Sequence, residues 1–152
     1  MRLLVFMLAA IMASPQIPEK DPAKNPLASI TSLKCSFGKS ATGVWKAGEP
    51  DVQLNNEPIS FEVDSIDTQE GSARLITAEP TYLTALLTAS SIHFMERTLQ
   101  GSLTVTTVFS IESTPGKLRA VRSRHEYLKI SLPGFATEPA ISQYYGECVA
   151  GK

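Results

Sequence analysis

The chain has one tryptophan, two cysteines and an aromatic fraction of only 7% in 152 residues, so few residues announce a chemistry. There is no C-x-x-C pair, which argues against a thiolate metal site or a dithiol redox centre. There is no G-x-S-x-G elbow either, so the usual frame of a serine hydrolase is missing. The formal net charge is −1, without the positive surplus that a general binder of nucleic acid or anionic membrane needs. Beyond the first dozen residues no apolar run approaches the roughly 20 needed for a membrane-spanning helix. No amphipathic helical stretch of convincing length and no internal repeat are visible.

The N-terminus reads MRLLVFMLAAIMASPQ: one charge at Arg2, an apolar run from Leu3 to Met12, then the small residues Ala13 and Ser14. That order is the pattern of a secretory signal, expected to span residues 1–13, with an uncleaved anchor as the alternative. The first cysteine lies well past the apolar run and follows Lys34, so no lipid attachment is expected. These features predict a protein free in solution outside the cytoplasm, periplasmic or secreted. Residues 14–32 hold Pro15, Pro18, Pro22 and Pro26, which block helix and ladder alike and predict a disordered lead-in. A single β domain is then expected over 33–152.

Within that domain the dominant signal is alternation with period two. Ile59, Phe61 and Val63 alternate with Ser60, Glu62 and Asp64; Leu83, Ala85 and Leu87 form another apolar row. Ile92 and Phe94 oppose His93 and Met95. In LTVTTVFSI the row Leu103, Val105, Phe109, Ile111 is expected to be the buried one. LRAVRSRHEY and ISQYYGECV read as further strands, and Thr114-Pro115-Gly116-Lys117 as a tight reversal. Seven to nine short strands at even spacing predict an all-β fold, a small antiparallel β-barrel or a β-sandwich. Two cysteines in an exported chain predict one disulfide, Cys35–Cys148. If both face inward the first and last strands are neighbours, which favours the barrel.

The stretch CSFGKSATGVW raises two sharper readings. Gly38-Lys39-Ser40 resembles the end of a phosphate loop, but position 33, where the first glycine belongs, is Leu. Gly43-Val44-Trp45 is similar to the G-x-W near the start of lipocalin barrels, where the Trp packs across the closed end against a late Arg. A core Trp opening an ordinary strand after a Gly-bounded turn is the alternative. In VRSRHEYLK, an inward Val121 would carry Ser123, His125 and Tyr127 to the barrel mouth, within reach of a ligand. His93 and His125 could be joined by Glu96 or Glu126 on a metal only against strand alternation, so no metal is expected. Seven acids and no Lys or Arg lie between Glu49 and Glu70, whereas Lys117 to Lys129 is basic. The two segments are expected to face one another; an anion-recognising strip of Arg119, Arg122 and Arg124 is the alternative.

The phrases FEVDSIDTQEGSARLI, IHFMERT, LTVTTVF, AVRSRHEY and SQYYGEC together resemble an uncharacterised family of small exported bacterial β-domain proteins. The resemblance covers about Cys35 to Cys148. It implies a periplasmic or secreted domain and no activity.

The functional expectation is a non-enzymatic binding domain for a small apolar or amphiphilic ligand, without a cofactor. Its candidate ligand-binding residues are Trp45, His93, Ser123, Arg124, His125 and Tyr144. The alternative is an accessory protein of the cell envelope that acts through a sheet face or edge and has no pocket. Nucleic acid is not an expected partner.

Overall fold

Why these strands close on themselves follows from the pairing of the two ends of the chain. The computed structural model describes residues 25–98, 101–127 and 139–151. Its strands are β1 (Leu33–Lys46), β2 (Glu49–Asn55), β3 (Ile59–Asp67), β4 (Ser72–Ile76), β5 (Thr81–Leu87), β6 (Ser91–Arg97), β7 (Leu103–Thr114), β8 (Lys117–Tyr127) and β9 (Pro139–Ala150). From β3 to β9 each strand pairs antiparallel with the next. β1 pairs with β3 on one edge and β9 on the other, so eight strands form a closed antiparallel barrel with β2 as an extra strand. The barrel, not the sandwich, is the architecture. No helix among the described residues is long and apolar enough to cross a membrane.

The barrel is held at its seam. Cys35 and Cys148 stand directly opposite each other on β1 and β9, Cα atoms 4.0 Å apart, and form a buried disulfide. Around them the inward rows supply Leu33, Phe37, Val63, Ile92, Phe94, Val108 and Ala120. Phe37 and Phe61 stack at 5.7 Å between ring centroids. A bulge between Phe37 and Lys39 lets both Phe37 and Ser40 turn inward. Beside the bulge a Cβ on Gly146 would lie 2.1 Å from the Ser36 carbonyl oxygen and 2.6 Å from the Phe37 Cα. Only glycine lets these two backbones pass.

Several sequence expectations need correction here. Residues 38–43 form no turn: β1 runs unbroken from Leu33 to Lys46, and the glycine supplies a bulge instead. Trp45 therefore lies near the end of this strand, 36% exposed, and opens no new one. On β7 the faces are reversed: Thr104, Thr106 and Val108 are buried, while Leu103 and Ile111 are exposed. The lead-in also ends sooner than residue 32. Pro26–Ser29 form a short 3-10 helix that buries Leu27 to 1% exposure. Asn25 caps it, accepting from the Leu27 N–H at 3.0 Å and donating to the Thr88 carbonyl at 2.7 Å. The signal segment, and all of SLPGFATEPA before Pro139, lie outside the described residues.

Among the described residues the charges of the acidic and basic segments do not pair with one another. Glu62 pairs with Lys34 and Asp64 with Arg74, whereas Lys117 pairs with Glu147. The Arg74 guanidinium grips both Asp64 oxygens at 2.8 and 2.7 Å and holds that carboxyl below the usual carboxylate range. Lys117 and the Ser113 hydroxyl lower Glu147 in the same way.

Three results are expected. Cys35→Ala/Cys148→Ala, which releases a loop with a sequence separation of 113, lowers stability in urea by about 2–5 kcal/mol. Gly146→Ala forces backbone apart and costs about 1–3 kcal/mol in the same assay. Because Asp64 and Glu147 titrate lower when folded, the stability they contribute is present above the ordinary carboxylate range and is lost as pH falls through their folded values. Carboxyl-carbon NMR titration should show Asp64 returning toward its ordinary range in Arg74→Ala.

Candidate functional site

Outward-facing residues of four adjacent strands build an apolar groove. Past the bulge β1 presents Ala41, Gly43 and Trp45 outward; their partners are Leu54, Val52 and Pro50 on β2. On the other side Gly43 pairs with Ile141 of β9, which in turn pairs with His125 of β8. Gly43 keeps the floor low: a Cβ there would touch the Val52 side chain at 3.8 Å and the Ile141 carbonyl at 3.9 Å. The groove holds about 310 Å³, near the lower end of small-molecule sites. Trp45, Pro50, Val52 and Ile141 give it an apolar side. Ser123, His125 and Gln143 give it a polar one, where Gln143 Nε2 donates to Ser123 Oγ at 3.3 Å and the Tyr145 hydroxyl donates to Gln143 Oε1.

Of the six candidate ligand-binding residues, Trp45, Ser123 and His125 thus meet, but outside the barrel and not at its mouth. The reason is the parity of β8. Ala120 is buried and Arg122 points inward, so Val121, Ser123 and His125 face outward, contrary to expectation. Arg124 and Tyr144 share the inward parity of Arg122 and are separated from the groove by the sheet. The same parity splits the arginine strip, with Arg119 outward and Arg122 and Arg124 inward. Gly43-Val44-Trp45 places its Trp on the outer face, away from the interior position the lipocalin likeness implies.

Inside the barrel the polar residues form one level of the wall. Thr106, Arg122, Tyr144 and Ser40 are successive cross-strand partners on β7, β8, β9 and β1. Arg122 Nη1 donates to Thr106 Oγ1 and Nη2 to Glu96 Oε2, each at 3.0 Å, and the guanidinium lies 4.6 Å from the centroid of the Phe61 ring. Burial lowers the proton affinity of Arg122, and the Glu96 carboxylate opposes that loss. Arg124 pairs with Glu126 at 2.5 Å. Ser40 Oγ is buried without a hydrogen-bond partner among the described residues.

His93 stands elsewhere, on the outer face of β6. Its Nε2 is 3.0 Å from Ser91 Oγ and its Nδ1 3.0 Å from Thr107 Oγ1, while Ser91 Oγ also meets Thr88 Oγ1 at 2.8 Å. A hydroxyl, an imidazole and a second hydroxyl in series resemble a nucleophile, a base and its orienter. Ser91 is buried, however, and its hydroxyl is shared with Thr88, so the set acts as a cross-strand clasp. No group of three His, Cys, Asp or Glu among the described residues is placed to hold a metal ion.

The residues that the sequence reading missed are Pro50, Val52, Ile141 and Gln143. The alternating row Pro50, Val52, Leu54 is the signal that could have found the β2 wall. Against protein-family models and curated proteins alike, the chain gives no match.

A double-mutant cycle tests the interior pair. Arg122 and Glu96 keep only 16% and 18% of their side-chain exposure. Arg122→Met strands Glu96 and is expected to cost about 1–3 kcal/mol in urea, a figure reduced for residual solvent screening. Arg122→Met/Glu96→Leu should recover much of that loss.

Proposed function

We propose that this protein is a non-enzymatic binding module that takes a small amphiphilic molecule in the outer groove. The observation that carries this reading is the division of the groove into an apolar side at Trp45, Val52 and Ile141 and a hydrogen-bonding side at Ser123, His125 and Gln143. A ligand with an apolar body and a polar end matches both sides at once. Gly43 leaves room for that body against the sheet, and Trp45 supplies the largest apolar contact. We place the protein outside the cytoplasm on the signal-like N-terminus, with which the Cys35–Cys148 disulfide is compatible.

A second reading, an accessory protein that docks to an envelope partner, is favoured by one feature. Leu103, Ile111 and Tyr145 are exposed on the outer face of β7 and β9, beyond the groove.

Trp45 is the sole tryptophan, so its emission reports the groove directly. Titration with medium-chain fatty acids and their alcohols should shift the emission to the blue, saturably. Val52→Arg should abolish the shift while the far-UV spectrum stays unchanged. Absence of any saturable change with either series, alongside co-purification of a protein partner from the envelope, would replace the first reading with the second.

A further inference from the structure

β2 ends the sheet. It pairs with β1 alone, so its other edge has no strand partner among the described residues. Which backbone groups that edge offers follows from the turn before it. Ala47 and Gly48, both with positive φ (52° and 86°), make a two-residue hairpin turn between the partners Lys46 and Glu49. The pair flanking such a turn is hydrogen-bonded, and antiparallel pairs then alternate. Glu49, Asp51, Gln53 and Asn55 therefore turn their backbone groups toward β1, and Pro50, Val52 and Leu54 turn theirs toward the free edge. Pro50, which has no N–H to give, sits where the β1 ladder asks for none. The side chains along this edge are unusually apolar for solvent. Leu54 is 85% exposed and Val52 67%, the two most exposed aliphatic side chains among the described residues.

We infer that two copies of this chain pair through β2, antiparallel about a two-fold axis at Gln53. The register follows from the free groups. Centred on Gln53, Val52 of one copy stands opposite Leu54 of the other, and each donates its N–H to the carbonyl of its partner. Centred on Val52, Leu54 would instead face Pro50, which cannot donate. The chosen register lays the two exposed aliphatic pairs against each other on one face and sets Asp51 opposite Asn55, not opposite another carboxylate. Asp51 is already paired with Lys46. The cost is Glu49 approaching Glu57 at either end, both in solvent and screened by salt. A different protein would have to supply this complementarity; a second copy has it by symmetry. The pairing also adds Leu54 of the second copy beside Val52, on the open side of the groove. That consequence rests on the groove reading, whereas the dimer does not.

The test is made without ligand, so its failure is separate from failure of the binding reading. Sedimentation velocity of the wild-type chain at micromolar concentration should show a dimer. Leu54→Pro, which deletes one edge N–H and none of the β1 ladder, should be monomeric, with an unchanged far-UV spectrum and a thermal midpoint that no longer depends on concentration. Independently, Gln53→Cys places two thiols in a non-hydrogen-bonded pair, whose Cα atoms lie about 4.5 Å apart, within disulfide reach. It should oxidise to a covalent dimer, and Asp51→Cys should not. A wild-type monomer at all concentrations, a dimer that survives Leu54→Pro, or equal cross-linking of the two cysteine variants would overturn the proposal.

Discussion

A run of short antiparallel strands leaves two bare edges unless its ends meet, and here they meet along β1 and β9, from Leu33 opposite Ala150 to Gly43 opposite Ile141. Three features make that contact: the Cys35–Cys148 bond, the bulge after Phe37, and Gly146, which yields to the Phe37 backbone. The rest of the molecule depends on it. With β9 on one edge of β1 and β3 on the lower part of the other, the only place left for β2 is beside Ser40 to Lys46. β2 therefore stands outside the barrel, and it brings Val52 and Pro50 up to the groove. Closure creates the wall of the groove and the free edge together.

The interior is built in two parts. Around the disulfide it is apolar and stacked, with Leu33, Phe37, Ile92 and Val108 buried. At the next level the wall turns polar, and Arg122 reaches across to Glu96, Thr106 and the face of Phe61. Its donor bonds go to Thr106 on the adjacent β7 and to Glu96 on β6 beyond it, so the guanidinium can sit inward without a bare charge. Its inward position determines that of the adjacent residues. Because Arg122 is inside, Ser123 and His125 are outside, and the groove acquires its polar side.

Alternation in Ile59, Phe61, Val63 and in Leu83, Ala85 made the strands, their number and their inward rows legible, and the lone cysteine pair pointed to closure. The errors share a physical origin. On β7 Leu103 and Ile111 lie outside and Thr104 and Thr106 inside, because Thr106 hides its hydroxyl in a bond from Arg122. On β8 an arginine outcompetes a valine for the interior because its carboxylate waits on β6. Hydropathy alone ranks both strands the wrong way round, since the deciding partners are far apart in sequence. The bulge at Gly38 is illegible for another reason: Gly-Lys-Ser-Ala-Thr-Gly has the composition of a turn. Only the pairing of β1 with two strands on each flank of the bulge reveals it as strand.

The face assignment of β8 underlies the groove, its polar side and the interior pair, and paired single-cysteine labelling measures it directly. Ala120→Cys and Ser123→Cys are small changes three positions apart on one strand, and the native disulfide is buried away from reagent. The structure requires Ser123→Cys, half-buried on the outer face, to react with a polar maleimide in the folded protein. It requires Ala120→Cys to be protected until the barrel unfolds. Rapid labelling at position 120 with protection at 123 would turn β8 over, moving His125 inside and removing the outer groove from the account.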